Sequence, residues 1–138
     1  MAYSIQKGGN INFLVDDTAI ECETQADVSF STDELDTTCK NSSNNKSFEP
    51  GGKTTEFSIG GNYTEGTGSN EDFHTLNVKY LADTSFVGKW GGVDSGDKTY
   101  SGTCYIMSMN ASAGNAGTLV TWTATIKVSG AITVATIA

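Results

Sequence analysis

The sequence predicts a mainly β domain, of sandwich or barrel-like form, with one flanking α-helix and a long loop. Three observations carry this. Apolar and polar residues alternate in several segments, most clearly over Ile20–Phe30. One segment only, around Phe73 to Leu81, has its apolar residues at helical spacing. Gly, Asn, Ser and Thr punctuate the chain between these segments, while proline occurs once, at Pro50. A strand sends successive side chains to opposite faces, so alternation is the mark of a half-buried strand. At 138 residues the chain fits one domain, expected to span 1–138 and long enough to bury a core without metal or disulfide staples.

Over Ile20–Phe30, Ile20, Cys22, Ala26, Val28 and Phe30 share one parity, while Glu21, Glu23, Gln25, Asp27 and Ser29 share the other. One face is thus expected to be apolar and the other acidic. Eleven residues in a strand reach roughly 36 Å, long for so small a domain. Upstream, Ile11, Phe13 and Val15 alternate, and Asp16-Asp17 reads as a tight turn. The two segments are expected to form an antiparallel hairpin, with Cys22 as a small core residue.

A polar, turn-prone stretch follows, expected as an extended loop over about 32–53. It contains a single aromatic, Phe48, and ends in Pro50-Gly51-Gly52. Alternation resumes at Thr55, Phe57, Ile59 and Tyr63, with Gly60-Gly61 suggesting a bulge or bend. Phe73, Leu76, Tyr80 and Leu81 then form the helical stripe, and Ser69-Asn70-Glu71-Asp72 supplies an N-cap with an acid three residues on. Ser85–Trp90 reads as a strand and Gly91–Gly96 as a turn. Tyr100–Met109 is a strand with Tyr105, Met107 and Met109 on one side and Cys104 and Ile106 on the other, so it is expected to be central and covered on both faces. Gly114–Gly117 connects it to Val120–Val128, where Val120, Trp122, Ala124, Ile126 and Val128 alternate with polar residues. Ile132–Ile137 is a last short strand. About seven strands with turns between them and one helix fit a sandwich or barrel.

Charge and chemistry narrow the function. Eight Lys and Arg stand against sixteen Asp and Glu, a net charge of −8. A nucleic-acid binder ordinarily presents a basic patch that displaces counterions from phosphate, so this balance speaks against binding DNA or RNA. The first residues show no charged leader followed by an apolar run, and no secretory signal is expected. The longest apolar tract, near Ala131–Ala138, is too short to span a bilayer. Cys22, Cys39 and Cys104 are odd in number and widely spaced, as expected of reduced thiols in a cytoplasm, and with one histidine no zinc site and no other metal or cofactor is expected.

An enzyme is not expected. His74 lies in the helical stripe, where a lone histidine ordinarily packs or faces solvent. Neither a Gly-x-Ser-x-Gly elbow nor a phosphate-binding Gly-x-x-x-x-Gly-Lys-Ser/Thr loop occurs. Glu21 and Glu23 stand about 7 Å apart on one strand face, a glycosidase-like separation, but no apolar pocket is evident to raise either pKa. Asp33, Glu34 and Asp36 lack the EF-hand pattern. Trp90 and Trp122 raise the alternative of a carbohydrate-binding or adhesin-like β-sandwich. The parity of Trp122 makes it a core residue, whereas Trp90, beside Gly91-Gly92, is the more open.

The order of features resembles the major tail proteins, or tail-tube proteins, of long-tailed bacteriophages. An N-terminal hairpin and a long strand run into Asp36-Thr37-Thr38-Cys39-Lys40-Asn41-Ser42; Phe48-Glu49-Pro50-Gly51-Gly52-Lys53 leads to a new strand; Phe73 to Leu76 opens the helix; Val128-Ser129-Gly130-Ala131-Ile132 joins the last strands. Cys39 stands where that family more often has a small polar residue. The resemblance implies a structural subunit of a phage or prophage-derived tail tube, forming hexameric rings that stack around an acidic channel for DNA. Its partners would be further copies of itself and other tail proteins, with DNA passing through unbound. Its place would be the virion tail, after assembly in the host cytoplasm. It also implies that Glu21, Glu23 and Asp27 are lumen-facing charges. The loop residues Asp36, Lys40, Asn41, Lys46 and Phe48 would bridge stacked rings.

Overall fold

A computed structural model describes residues 6–39, 45–64 and 70–138. The strands are β1 (Ile11–Val15), β2 (Thr18–Ala19), β3 (Glu23–Asp36), β4 (Phe48–Asn62), β5 (Phe86–Gly92), β6 (Lys98–Ser112), β7 (Thr121–Val128) and β8 (Thr133–Thr136). Among the described residues one α-helix, α1 (Phe73–Leu81), stands between β4 and β5. Every strand pairing among the described residues is antiparallel, and the sheet runs β2-β1-β5-β6-β7-β4-β3. β8 pairs with the first residues of β6, beyond the point where β7 ends, so it continues the course of β7.

The sheet curls until its far strands meet. β1 and β3 form no ladder with each other among the described residues, yet the Phe13 N–H donates to a Glu23 carboxylate oxygen at 3.2 Å. Inside the curl lie Phe13, Val15, Phe57, Ile59, Cys104, Trp122 and Ile126, all essentially without exposure. Phe13 and Phe57 hold their rings 5.0 Å apart across this interior. Such a cluster, drawn from strands far apart in sequence, is the main source of stability for a domain of this size. Burial also pushes the Cys104 thiol up to about 11, against a backbone hydrogen bond that lowers it, so that cysteine is an inert packing group.

α1 closes the curl over Trp122. Leu76 is fully buried, and the Phe73 ring stands 6.1 Å from the Trp122 indole. Only the first half of the expected helical stripe is covered, since Leu81 is 72% exposed and Tyr80 is exposed as well. Asp72 is the N-cap. Its side chain accepts from the Thr75 N–H while the Thr75 hydroxyl accepts from the Asp72 N–H, a reciprocal capping box three residues later than the one read from Ser69.

The expected hairpin of Ile11–Val15 with Ile20–Phe30 is corrected. Asp16 and Asp17 do turn the chain, at φ 50° and 64°, but pairing stops after Leu14↔Ala19 and Val15↔Thr18. Ile20 then bridges to Glu71, and the backbone turns at Glu21-Cys22 with Cys22 at φ 53°. Cys22 is therefore exposed rather than core. The long strand starts at Glu23 and pairs with β4, from Glu23↔Gly61 to Asp36↔Phe48. Half of the stretch expected as a loop over 32–53 thus lies in the two strands of a long β-hairpin, β3 and β4.

Gly60 and Gly61 mark an irregularity, as expected, with the extra residue on the facing strand: Thr24 lies between the pairs Glu23↔Gly61 and Gln25↔Gly60. The two glycines allow close approach: a Cβ on Gly61 would meet the Cys22 carbonyl oxygen at 2.5 Å, and one on Gly60 the Trp122 carbonyl oxygen at 2.8 Å. β6 is central, as expected, but is not covered twice. A bulge between Ile106 and Ser108 turns Met109 onto the core side and leaves Met107 53% exposed, with Tyr105 also on the open face.

Candidate functional site

Glu21, Glu23 and Asp27 do not share a face. Glu21 lies in the turn before β3, its carboxylate accepting from the Asn70 side-chain amide at 2.8 Å. β3 carries a register irregularity between Glu23 and Gln25. Strand partners point to the same side of a sheet, and Glu23 pairs with Gly61, on the parity of buried Ile59, the partner of Ala26. One extra residue therefore moves Glu23 to the core face with Ala26 and Val28, while Asp27 stays outside. There the Gln25 side-chain amide donates to Asp27 at 2.8 Å.

Glu23 sits in the seam between β1 and β3. One carboxylate oxygen accepts from the Phe13 N–H; the other is fully buried with no hydrogen-bond partner. Burial pushes this carboxyl up to about 7, against the lowering effect of the Phe13 N–H. Next along the seam, the Trp90 indole N–H donates to the Ala26 carbonyl oxygen at 2.8 Å. Both contacts border a cavity of about 590 Å³ that also takes in Lys7, Asn12 and Asp27. Trp90 is half-buried, with Tyr100 at 6.0 Å, rather than the open ring its glycine neighbours suggested. The sequence missed the seam because alternation alone put Glu23 on the solvent face.

The open sheet face follows from the registers. Asp27↔Ser58↔Thr125 and Ser29↔Glu56↔Lys127 cross β3, β4 and β7, and Tyr105 lies beside Lys127 on β6. Its charges in these rows are Asp27, Glu56 and Lys127. Glu56 was legible as the off-parity residue beside Phe57.

The far end of the β3–β4 hairpin is the most conspicuous surface element. β7 accompanies β4 only as far as Glu56↔Lys127. Beyond that point residues 30–36 and 48–55 form a two-stranded arm, roughly 20 Å long at strand rise, with no neighbouring strand on either edge among the described residues. Leu35 and Phe48 are 54% and 63% exposed on it. Asp36 pairs with Phe48 and accepts from the Thr38 N–H at 2.9 Å, which holds its carboxyl below the usual range. The Thr37 N–H donates to the Ser47 carbonyl oxygen, and the Ser47 N–H to the Thr38 hydroxyl, so the base of the tip is clasped. Lys46 is exposed beside this clasp; Lys40 and Asn41 lie outside the described residues.

Little among the described residues points to catalysis. His74 shares a 2.6 Å hydrogen bond with the Tyr63 hydroxyl at the surface. No group of three His, Cys, Asp or Glu side chains among the described residues is placed to hold a metal ion. No helix among them is long and apolar enough to cross a membrane.

No protein-family model matches the sequence, and comparison with curated proteins finds no match. Solved structures do match. A chain in the virion of a native gene transfer agent particle superposes with a TM-score of 0.75 at 13% identity, covering 95% of this chain and 99% of that one. A chain in the tail of an empty gene transfer agent particle, of C6 symmetry, gives 0.74 at 16% identity over 94% and 98%. The SPP1 tail tube gives 0.73 at 14% identity over 96% of this chain and 80% of that one. With nearly the whole chain superposed on all three, this protein has the fold found in the SPP1 tail tube and in chains of the gene transfer agent particle and its tail.

Proposed function

We propose that the protein is a structural subunit of a phage or prophage-derived tail tube, with no enzymatic role, assembling into hexameric rings that stack into a hollow tube. The observation that carries this reading is the arm. A two-stranded ribbon with both edges open and with Leu35 and Phe48 exposed is marginal in water alone and an aggregation hazard in a monomer. In a closed ring or stack such edges find partners. Support for six-fold order comes from the C6 symmetry of the gene transfer agent tail with the same fold.

In this reading the arm, with Asp36, Lys46 and Phe48, contacts the next ring, and Lys40 and Asn41 belong to the same contact. The open face with Asp27, Glu56 and Lys127 lines the channel, where its net negative charge keeps phosphate from adhering while DNA passes without specific binding. Glu21 and Glu23 are withdrawn from that role, since the turn at Cys22 and the irregularity after Glu23 take them off the face. The partners are further copies of the chain and other tail proteins, and the place is the virion tail after assembly in the host cytoplasm.

The test is negative-stain electron microscopy of concentrated protein, with sedimentation alongside. Rings or tubes of six-fold symmetry are expected. A chain that stays monomeric at high concentration, with neither rings nor tubes on the grid, overturns the reading.

A further inference from the structure

The seam between β1 and β3 holds an arrangement that tube building does not use. Two contacts close it: from β1 the Phe13 N–H to Glu23, and from the neighbouring β5 the Trp90 indole to the Ala26 carbonyl. No backbone ladder joins the strands among the described residues, so these contacts and the packing behind them close the curl. One of them depends on a carboxyl group whose second oxygen is buried without a partner. A neutral carboxyl tolerates that position far better than a carboxylate, because burying an unpaired charge is much costlier than burying an unpaired dipole.

A charged Glu23 has somewhere to go. The adjoining cavity of about 590 Å³ is open to solvent and contains Lys7. Among the described residues the charged groups around Glu23 are few. Lys7, from the segment before β1, and Asp27, further along β3, line the same cavity, one a cation and one an anion; Glu21, just upstream, is turned to Asn70. β4 offers only Gly60 and Gly61 opposite, and on β5 the neighbouring Lys89 is paired with Asp17 at 2.9 Å.

We propose that Glu23 is a proton-operated latch on the β1–β3 seam. Protonated, it lies across the seam against the Phe13 N–H. On losing its proton to solvent it swings into the cavity toward Lys7, frees the Phe13 N–H and leaves the Trp90 contact, with the packing behind it, to hold the seam. Because β3 runs from Glu23 directly into the arm, the same proton sets how firmly the root of the arm is fixed to the body. The latch is a property of the isolated subunit and does not depend on tube assembly.

The test uses the full chain, kept dilute and followed by amide and indole NMR from about pH 5 to about pH 9. The Phe13 amide and the Trp90 indole resonances are expected to move together with one midpoint near 7. The protection of the Phe13 amide against hydrogen exchange is expected to fall at least about tenfold above that midpoint. Glu23→Gln keeps the acceptor but does not ionise, so it is expected to abolish the transition and hold the protected state throughout. Lys7→Gln removes the cation that favours the charged form and is expected to move the midpoint upward. A Phe13 amide that stays equally protected over the whole range in the unmodified chain overturns the latch, and so does a transition that survives Glu23→Gln. The first of these needs no variant to fold.

Discussion

The Trp90 indole N–H donates to the Ala26 carbonyl oxygen at 2.8 Å, tying β5 to β3 across the mouth of the curled sheet. Trp90 is also the cross-strand partner of Phe13, whose own N–H reaches Glu23. Two neighbouring residues thus supply both polar ties across the seam.

Trp90→Phe keeps most of the ring and removes the donor. The Ala26 carbonyl is then left part-buried without its partner, and a loss of about 1–2 kcal/mol is expected. Urea unfolding of the two proteins side by side measures it. Equal stabilities would show that water replaces the indole at no cost.

The pH dependence of stability follows from Glu23. Its carboxyl rises from 4.5 to about 7 on folding, so the native state holds the proton more tightly than the unfolded chain. Stability from this group is fully present below 4.5, declines as pH rises, and is gone once pH passes about 7. Glu23 is only partly buried, so solvent screening reduces the effect to about 1–2 kcal/mol. Unfolding midpoints for the wild type are expected to fall between about pH 5 and about pH 8 relative to those of Glu23→Gln. A constant difference between the two across that range would contradict the shift.

Gly61→Ala places a methyl 2.5 Å from the Cys22 carbonyl oxygen, and the nearest atoms are all backbone. Nothing flexible gives way there, so β3 must move off β4 at its start. A loss of about 1–3 kcal/mol is expected, and calorimetry or urea titration reads it. Gly117→Ala meets nothing within 4 Å and serves as the control.

Leu35→Ser with Phe48→Ser removes two exposed apolar side chains from the arm. Thermal unfolding of the monomer is expected to change by less than about 0.5 kcal/mol, as for ordinary surface positions. Ring or tube formation is expected to be lost. Tubes of normal length and number would remove the arm from the assembly contact.

Much was legible in the sequence because it is written in local alternation. Val120–Val128 keeps strict period two, and Trp122, Ala124 and Ile126 are buried as that pattern requires. Asp16-Asp17 is a two-residue turn because Asp tolerates left-handed backbone, a preference local to the two residues. The helix was visible from the spacing of Phe73 and Leu76. Less legible was anything that turned on one residue of register. At Glu23 and at Met107 an irregularity shifts the side chains by one place, which exchanges solvent for core. Likewise the polar stretch after Thr32 lacks an apolar stripe because the arm it forms has no core to face, so composition marked it as loop.

The sequence by itself determined a mainly β chain with one helix, an acidic balance and no evident catalytic set, since composition and periodicity act over a few residues at a time. Only the tertiary structure decided which strands pair, that β3 and β4 project as an arm, and that Glu23 leaves the acidic face for a buried seam. The last of these depends on Phe13, Gly61 and Trp90, which gather around Glu23 only when the strands pair and the sheet curls closed.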